Sequence, residues 1–378
     1  MNILVLIHEY PPIGGGGGPI AADLSKEWVK EGNRVRIITA AFGNLPQKEI
    51  QNGVEIIRIK SHRKESFRAK MPAMIGFLNA SIRYLFFKMK DFKPDIIHVH
   101  FAVPNGPAAM IYSRFTHIPY VITIHLGDIP GASPEKTKNW FKVIYPFTPP
   151  IWKNAAKIIA VSEYSKDLAL KSYSVNIDVI SNGIDYEKIH NANIEIHHDT
   201  QIVFAGRFVP QKNISTIIKT LNNLKGLNWH CTLIGDGQEK DNIISLINES
   251  SMQNKFTLTG WKEPEDVMNI FKQSDILFLP SLYEGLSVVG IQAMACGLAL
   301  VLSNRGGNPE IVKEGFNGFI EDPNDINSFT ADIRELLQNK GKLIEFRNNS
   351  LCLAKEFDIK KSANSYLRIF NQIVNNKK

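Results

Sequence analysis

The chain is predicted to contain two doubly wound α/β domains, each built on a mainly parallel sheet. Short runs rich in Val, Ile and Leu alternate with helical segments along its 378 residues. Strands that helices cover on both faces have this nearly continuous apolar character. The pattern occurs twice, with a polar stretch between the two series. A chain of this length also exceeds one ordinary core, so two domains are expected.

The domain boundaries follow from where each series of strands begins and ends. We place an N-terminal domain at 1–181, a linker at 182–200 and a C-terminal domain at 201–358. The final segment, 359–378, has a helical pattern with no strand after it and is free to pack back on the N-terminal domain. Ligands of doubly wound sheets bind beyond the strand carboxyl ends, so we expect the functional loops of both domains to line one cleft.

Each strand is predicted from a short apolar run. In the N-terminal domain the strands are Asn2–His8, Arg34–Ala40, Val54–Ile59, Asp95–Phe101, Tyr120–Leu126, Lys157–Ser162 and Ile177–Ile180. In the C-terminal domain they are Gln201–Ala205, His230–Ile234, Phe256–Thr259, Asp275–Pro280 and Leu298–Ser303. Helices are expected, among others, at Asn213–Leu224, Pro264–Phe271 and from Ile359 to about Val374.

The composition is that of an ordinary globular protein, with 44% hydrophobic and 21% charged residues. Its three cysteines have no metal-ligand spacing and argue against a disulfide framework. No apolar run reaches the roughly 18 residues of a transmembrane helix. His8 and Glu9 interrupt the first apolar run, so no secretory signal is expected. We therefore expect a cytoplasmic protein.

The positive charge is concentrated in one window. Residues 58–93 contain ten Lys or Arg and two acidic residues, which gives +8 in a chain whose total is +7. Such a window favours an anionic partner. Nucleic acid is disfavoured because the window lacks aromatic interleaving in a known binding motif. An anionic membrane surface, with the protein peripheral at the inner face of the cell membrane, is the expected alternative. A helix is predicted from Pro72 to about Phe92.

A glycine loop follows the first strand. Gly14 to Gly18 lie between that strand and a helix that has Pro19 near its first turn. Glycines let backbone amides approach a phosphate, and a helix N-terminus attracts anions. The dinucleotide pattern G-x-G-x-x-G fails at Pro19, and no G-K-[ST] occurs. We therefore predict an anion-binding site in this glycine loop.

Three loops of the C-terminal domain carry candidate residues. Arg207 and Lys212 flank a turn after the domain's first strand and can neutralise a diphosphate. Gly237 follows the next strand and permits close approach to a nucleotide. Glu284 lies in a loop before a helix that begins near Ser287, where a carboxylate can accept hydrogen bonds from sugar hydroxyls and helix amides can meet a phosphate.

These motifs, in this order, resemble the retaining glycosyltransferases of family 4. The resemblance runs from the glycine loop through Asn182-Gly183-Ile184-Asp185 and Glu284 to Gly307-Asn308-Pro309-Glu310-Ile311-Val312. It implies the GT-B fold, in which two Rossmann-like domains face each other across a cleft. The N-terminal domain then receives the acceptor and the C-terminal domain binds the nucleotide sugar.

The resemblance also implies a role for each candidate residue. His125 lies near the anomeric carbon, and Glu284 holds hydroxyls of the transferred sugar. Trp261 lies in the segment that meets the base, and His100 lies on the acceptor side. The diphosphate is held by Gly14, Gly15, Gly16, Arg207, Lys212, Leu286, Ser287 and Val288. Gly237 and Gln292 lie on the nucleoside side.

One position departs from the family pattern. The family has a second acid eight residues after the first, and this chain has Gln292 there. Glutamine lacks the charge-assisted grip of a carboxylate on ribose hydroxyls. No D-x-D occurs, so we expect no metal and no cofactor other than the nucleotide sugar as co-substrate. A UDP-sugar is favoured and a GDP-sugar stays open. The acceptor is expected to be a glycan or lipid-linked glycan of cell-surface polysaccharide synthesis.

Two other enzyme classes share parts of this pattern. A nucleotide-sugar epimerase with the GT-B fold would need further acid–base groups that the sequence does not identify. A dinucleotide-dependent oxidoreductase is disfavoured by the broken glycine fingerprint. His98 and His100 are two residues apart on a strand, so both side chains point to the same face. Two such histidines could begin a metal site, but no third ligand at a suitable spacing is evident.

Overall fold

The computed structural model describes residues 1–66, 69–132, 144–191, 193–195 and 197–376. It divides into two compact units, one of Met1–Gly183 with Ile359–Lys378 and one of Ile184–Asp358. Each unit contains a parallel sheet with helices between its strands, which confirms the predicted fold class. The predicted linker contains a short helix, and the first strand of the second unit begins at its last residue, Thr200.

The sheet of the first unit has eight strands in the order β3-β4-β2-β1-β5-β6-β7-β8. They are β1 (Asn2–Leu6), β2 (Arg34–Ala40), β3 (Lys48–Gln51), β4 (Val54–Ile59), β5 (Ile96–His100), β6 (Tyr120–Ile124), β7 (Lys157–Ala160) and β8 (Ile177–Val179). All pairings are parallel except β3 with β4. The sequence analysis missed β3 because this edge strand is short, polar and mostly exposed.

The sheet of the second unit has six parallel strands in the order β11-β10-β9-β12-β13-β14. They are β9 (Thr200–Ala205), β10 (Trp229–Ile234), β11 (Phe256–Gly260), β12 (Ile276–Leu279), β13 (Ala299–Ser303) and β14 (Gly318–Glu321). β14 was not predicted, since its four residues begin with glycine and end with glutamate. Every strand that was predicted is present, with ends that differ by at most two residues.

The described α-helices are numbered in chain order. They are α1 (Gly17–Lys30), α2 (Met71–Arg83), α3 (Ala102–Thr116), α4 (Pro149–Lys153), α5 (Glu163–Leu170), α6 (Tyr186–Ile189), α7 (Ile214–Asn222), α8 (Lys240–Glu249), α9 (Pro264–Lys272), α10 (Val288–Ala295), α11 (Ile326–Gln338), α12 (Lys340–Ala354) and α13 (Ile359–Asn375). The helix expected from Pro72 to about Phe92 is shorter than predicted. α2 ends at Arg83, and a π-helical turn over Tyr84–Lys88 follows it. None of the described helices is both long and apolar enough to span a bilayer.

The C-terminal helix α13 packs on α1 within the first unit. The Trp28 indole donates a hydrogen bond of 3.1 Å to the Ala363 carbonyl. Tyr366 and Phe370 meet the Trp28 ring edge-on at centroid distances of 5.9 and 5.4 Å. Trp28, Tyr366 and Phe370 are buried, so the apolar stripe of α13 completes the core of the first unit.

Candidate functional site

Three adjacent strands of the first unit bring histidines together at their carboxyl ends. β1, β5 and β6 are neighbours in the sheet, and His8, His100 and His125 lie at or just after these ends. His100 Nδ1 and His125 Nε2 share a hydrogen bond of 3.3 Å. The Asn105 amide links His100 to His8, since it donates to the His100 carbonyl and lies 3.2 Å from His8 Nδ1.

Burial keeps these imidazoles neutral. It lowers the pKa of His8 and of His125 to about 4 and that of His98 to about 3. It also places the pKa of His100 well below the ordinary value of 6.5. A neutral imidazole both donates and accepts a hydrogen bond. His125 therefore offers a polar, uncharged group at neutral pH. His98 lies deeper, where its Nε2 is 2.8 Å from the Thr123 hydroxyl, and is a core residue.

Asp128 fixes the backbone around His125. Its carboxylate accepts the His125 N–H at 2.9 Å and the Val103 N–H at 3.3 Å, which joins the loop after β6 to the start of α3. Burial raises the pKa of Asp128 to about 7. Phe101, at the turn between β5 and α3, has a left-handed φ of 67° and packs its ring 4.3 Å from that of His125. A residue other than glycine in this region marks strain that the surroundings maintain.

The glycine loop reaches the same histidine. A Cβ on Gly17 would lie 2.8 Å from the Phe101 ring and 3.3 Å from His125 Cε1, so any larger residue here would displace the Phe101 ring. Gly14 has φ of 100° and donates its N–H to the Ser66 carbonyl at 2.8 Å. Gly15 donates to the Glu9 carboxylate at 3.0 Å. Two of the three predicted phosphate-binding amides, those of Gly14 and Gly15, are therefore already engaged, one of them by a carboxylate.

The second unit pairs two of the predicted residues directly. Lys212 Nζ forms an ion pair with Glu284 Oε1, and both side chains are mostly buried. Gln211 holds the two loops together, because its side chain donates to the Tyr283 carbonyl at 2.9 Å and its carbonyl accepts the Leu282 N–H at 2.8 Å. Arg207 lies in the same loop as Lys212, between β9 and α7. Within the described residues its guanidinium has no hydrogen bond or ion pair.

Glycines bring the loops after four strands, β9, β10, β12 and β13, into close backbone contact in two pairs. A Cβ on Gly235 would lie 1.9 Å from the Gly206 carbonyl oxygen. One on Gly237 would lie 2.4 Å from the Phe208 carbonyl oxygen. Gly306, in the loop after β13, has φ of 67° and lies against the Glu284 backbone. A Cβ on Gly306 would lie only 1.8 Å from the Glu284 carbonyl oxygen. In the sequence, a glycine soon after a predicted strand could have indicated each of these contacts. Of these glycines, the sequence analysis selected Gly237 alone as a candidate residue.

The N-terminus of α10 lies next to Glu284. The Ser287 hydroxyl caps the helix by accepting the Gly290 N–H at 3.1 Å, and Val288 is its first residue. Leu286 and Ser287 are buried. Gln292 lies partly exposed on α10, about one turn further along. A helix N-terminus and nearby cations provide a favourable field for an anion.

Trp261 lies apart from the other predicted residues. It follows β11, which β10 and β9 separate from β12 in the sheet. Gly260 turns the chain here with φ of 70°, and the indole is 65% exposed. The structure thus gathers Arg207, Lys212 and Glu284 in adjacent loops and places Trp261 at the sheet edge.

Among the described residues no group of three or more His, Cys, Asp or Glu side chains could hold a metal ion.

Comparison with known proteins identifies this architecture. The family described as Glycosyl transferases group 1 matches residues 185–351, and the one described as Glycosyltransferase Family 4 matches residues 14–188. Sucrose-phosphate synthase from Thermosynechococcus elongatus superposes with a TM-score of 0.86 over 98% of both chains, at 18% identity. The two parallel-sheet units and these matches define a glycosyltransferase with the GT-B fold. The first half of the chain thus matches glycosyltransferase family 4, and the second half matches the glycosyl transferases of group 1.

Two further similarities concern proteins with named substrates or ligands. A curated relative from Escherichia coli is UDP-Gal:alpha-D-GlcNAc-diphosphoundecaprenol alpha-1,3-galactosyltransferase. It is 27% identical over 317 residues, which cover 79% of this chain and 80% of the relative. The Anabaena protein HepE, solved in complex with UDP and glucose, superposes with a TM-score of 0.75 at 19% identity. That superposition covers 98% of this chain and all of HepE.

Proposed function

We propose that the enzyme transfers a sugar from a UDP-sugar, with retention of anomeric configuration, to a glycan carried on a lipid diphosphate. The observation that carries the donor half of this proposal is the Lys212–Glu284 pair beside the N-terminus of α10. HepE with bound UDP and the galactosyltransferase relative support the choice of UDP, and the named acceptor of that relative supports a lipid diphosphate.

In this proposal the second unit holds the donor through charge. Lys212, Arg207 and the amides at Leu286, Ser287 and Val288 neutralise the diphosphate as the sugar departs. Preorganised charges of this kind stabilise a transition state without a reorganisation cost at the moment of reaction. Glu284 accepts hydrogen bonds from the sugar hydroxyls, and its ion pair with Lys212 fixes the orientation of the carboxylate.

The proposed displacement needs no carboxylate nucleophile. The bond from the anomeric carbon to the diphosphate breaks as the acceptor hydroxyl adds from the same face. The departing diphosphate takes the hydroxyl proton, so configuration is retained. His125 contributes a neutral imidazole near the anomeric carbon; its ring shares a hydrogen bond with His100, and Asp128 holds its backbone N–H.

The nucleoside and acceptor contacts complete the proposal. Gln292 holds the ribose, Gly237 lets the backbone approach the nucleoside, and Trp261 offers an exposed indole to the base. Gly14 to Gly16 also contact the diphosphate in this proposal, which requires Glu9 to release the Gly15 amide. His100 supports the acceptor side. We propose that the reaction needs no metal ion, and that full activity persists in excess EDTA.

The test of the donor site is substitution of Glu284. We expect Glu284→Gln to lower kcat by roughly a hundred-fold or more, as loss of a transition-state contact does. The matched control is Glu335→Gln, which breaks another Lys–Glu pair of the same unit, with Lys342 at 2.7 Å. The control should keep parental kcat. Parental kcat in folded Glu284→Gln, or an equal loss in both variants, would remove the assignment.

A further inference from the structure

An exposed aromatic patch lies on the first unit, outside the residues assigned to catalysis. It consists of Phe86 and Phe87 from the π-helical turn after α2, and Phe115 from the last turn of α3. Phe87 and Phe115 are 72% and 71% exposed. Phe86 joins them, with its ring centroid 5.7 Å from that of Phe115 and 6.5 Å from that of Phe87. Large exposed rings that are joined through Phe86 into one apolar surface mark an interaction site.

The patch is held in place from beneath. The Phe86 ring also meets the Tyr112 ring edge-on at 5.2 Å, and Tyr112 belongs to the buried core. Leu85 and Met89 on either side of the two phenylalanines point into the same core. The extra residue of the π-helical turn lets Phe86 and Phe87 both face outward while their neighbours stay buried. The rings are therefore presented by packed helices rather than by a free loop.

Three exposed basic residues lie close to the patch in the sequence. Arg83, Lys88 and Arg114 are exposed and lie within three residues of a patch ring in the sequence. None of the three has a hydrogen bond or ion pair within the described part of the chain. The acidic residue nearest to them in the sequence is Asp91. Its carboxylate already accepts hydrogen bonds from the two terminal guanidinium nitrogens of Arg36, at 2.9 and 2.6 Å. The patch thus combines exposed rings with uncompensated positive charge.

We propose that the aromatic patch and its three cations dock the first unit on an anionic membrane leaflet. Aromatic rings partition to the membrane interface, and basic residues beside them bind anionic headgroups. An anionic bilayer offers an interface that accepts the exposed rings and headgroups that bind the cations, which is the combination that this patch presents. The inference rests on the proposed function, because a lipid-linked acceptor would lie in the same leaflet.

The test is sedimentation of the full chain with vesicles of phosphatidylcholine alone or with phosphatidylglycerol added. We expect binding to the anionic vesicles that falls as salt rises. The double variant Phe87→Ser/Phe115→Ser should bind at least roughly ten-fold more weakly. The matched control is Phe147→Ser, since Phe147 is 73% exposed and belongs to the same unit but not to the patch. It should bind as the parent does.

A charge variant and a lipid-free assay complete the experiment. Arg83→Gln/Lys88→Gln/Arg114→Gln should lose most of its binding to anionic vesicles. Release of UDP from the donor without lipid should stay at the parental level in every patch variant. Vesicle binding by the phenylalanine variant that equals the parent's, or capture of the parent by an acidic protein but not by vesicles, overturns the proposal. A parent that binds vesicles as expected yet turns over no UDP-sugar would instead remove the proposed function and leave the docking surface standing.

Discussion

At the scale of single residues, the site of the first unit depends on side chains that burial keeps neutral. His125 exchanges a hydrogen bond with His100, and both lie in a region where charging an imidazole is costly. Asp128 holds the His125 backbone rather than its ring. The polar character of this site therefore persists at neutral pH without a formal charge on the imidazoles.

The stability of the first unit should fall on acidification. His8, His98, His100 and His125 have pKa values below that of an unfolded histidine, about 6.5. Between pH 6.5 and about 4 the unfolded chain therefore binds more protons. Each such histidine removes up to about 1.4 kcal/mol of the free energy of unfolding per pH unit as pH falls.

Asp128 has the opposite effect on stability. Its pKa is raised to about 7, so between about pH 4 and 7 the folded state binds a proton that the unfolded state does not, and acidification stabilises the fold at this residue. We expect a lower urea midpoint at pH 5 than at pH 7.5, since the histidines outnumber this carboxyl. Asp128→Asn removes the opposing contribution and should steepen the dependence. A midpoint that stays constant or rises on acidification would show that the imidazoles charge in the folded state.

Gln292 is the residue at which the chain departs from its family. We expect Gln292→Glu to tighten UDP binding about five-fold, because a carboxylate accepts from both ribose hydroxyls. Gln273→Glu adds the same charge at an exposed position of the same unit and should leave affinity unchanged. Calorimetry with UDP measures both. Weaker binding by Gln292→Glu would assign this side chain a different partner.

At the scale of loops and helices, Gly306 positions the Glu284 loop. Gly306→Ala would place a Cβ 1.8 Å from the Glu284 carbonyl oxygen in a left-handed conformation. Gly315 has nearly the same φ, 69°, but a Cβ there would meet no atom of the described residues within 4 Å. Gly315→Ala should therefore lose only the cost of placing alanine in a left-handed backbone conformation, about 1–2 kcal/mol of the free energy of unfolding. Its turnover should be normal. Gly306→Ala should lose more stability and most activity. Equal behaviour of the two variants would contradict a positioning role.

The helix α13 should be essential to the first unit. Phe370 is fully buried against Trp28, so Phe370→Ala should lower the free energy of unfolding by about 3–5 kcal/mol. Asn364→Ala, on the exposed face of the same helix, should change it by less than about 0.5 kcal/mol. Chemical denaturation compares the two. A small effect of Phe370→Ala would mean that α13 is an appendage.

At the scale of the whole molecule, the sequence predicts the strands well and the contacts between distant residues poorly. Buried parallel strands are continuous apolar runs, so they were found. The edge strand β3 is polar and was missed. Lys212 and Glu284 were each identified, yet their pairing joins loops 72 residues apart and depends on the order β9-β12 in the sheet. Asp128 and Gly306 act through backbone contacts, which residue type alone does not reveal.

The central claim is retaining transfer from a UDP-sugar through the Lys212–Glu284 site. The most direct measurement follows the anomeric protons by NMR while the enzyme consumes UDP-sugars or GDP-sugars in excess EDTA. We predict release of UDP, a first-formed product with the anomeric configuration of the donor, and turnover by Glu284→Gln that is slower by roughly a hundred-fold or more. Inversion at the anomeric carbon, or consumption of GDP-sugars alone, would contradict the account.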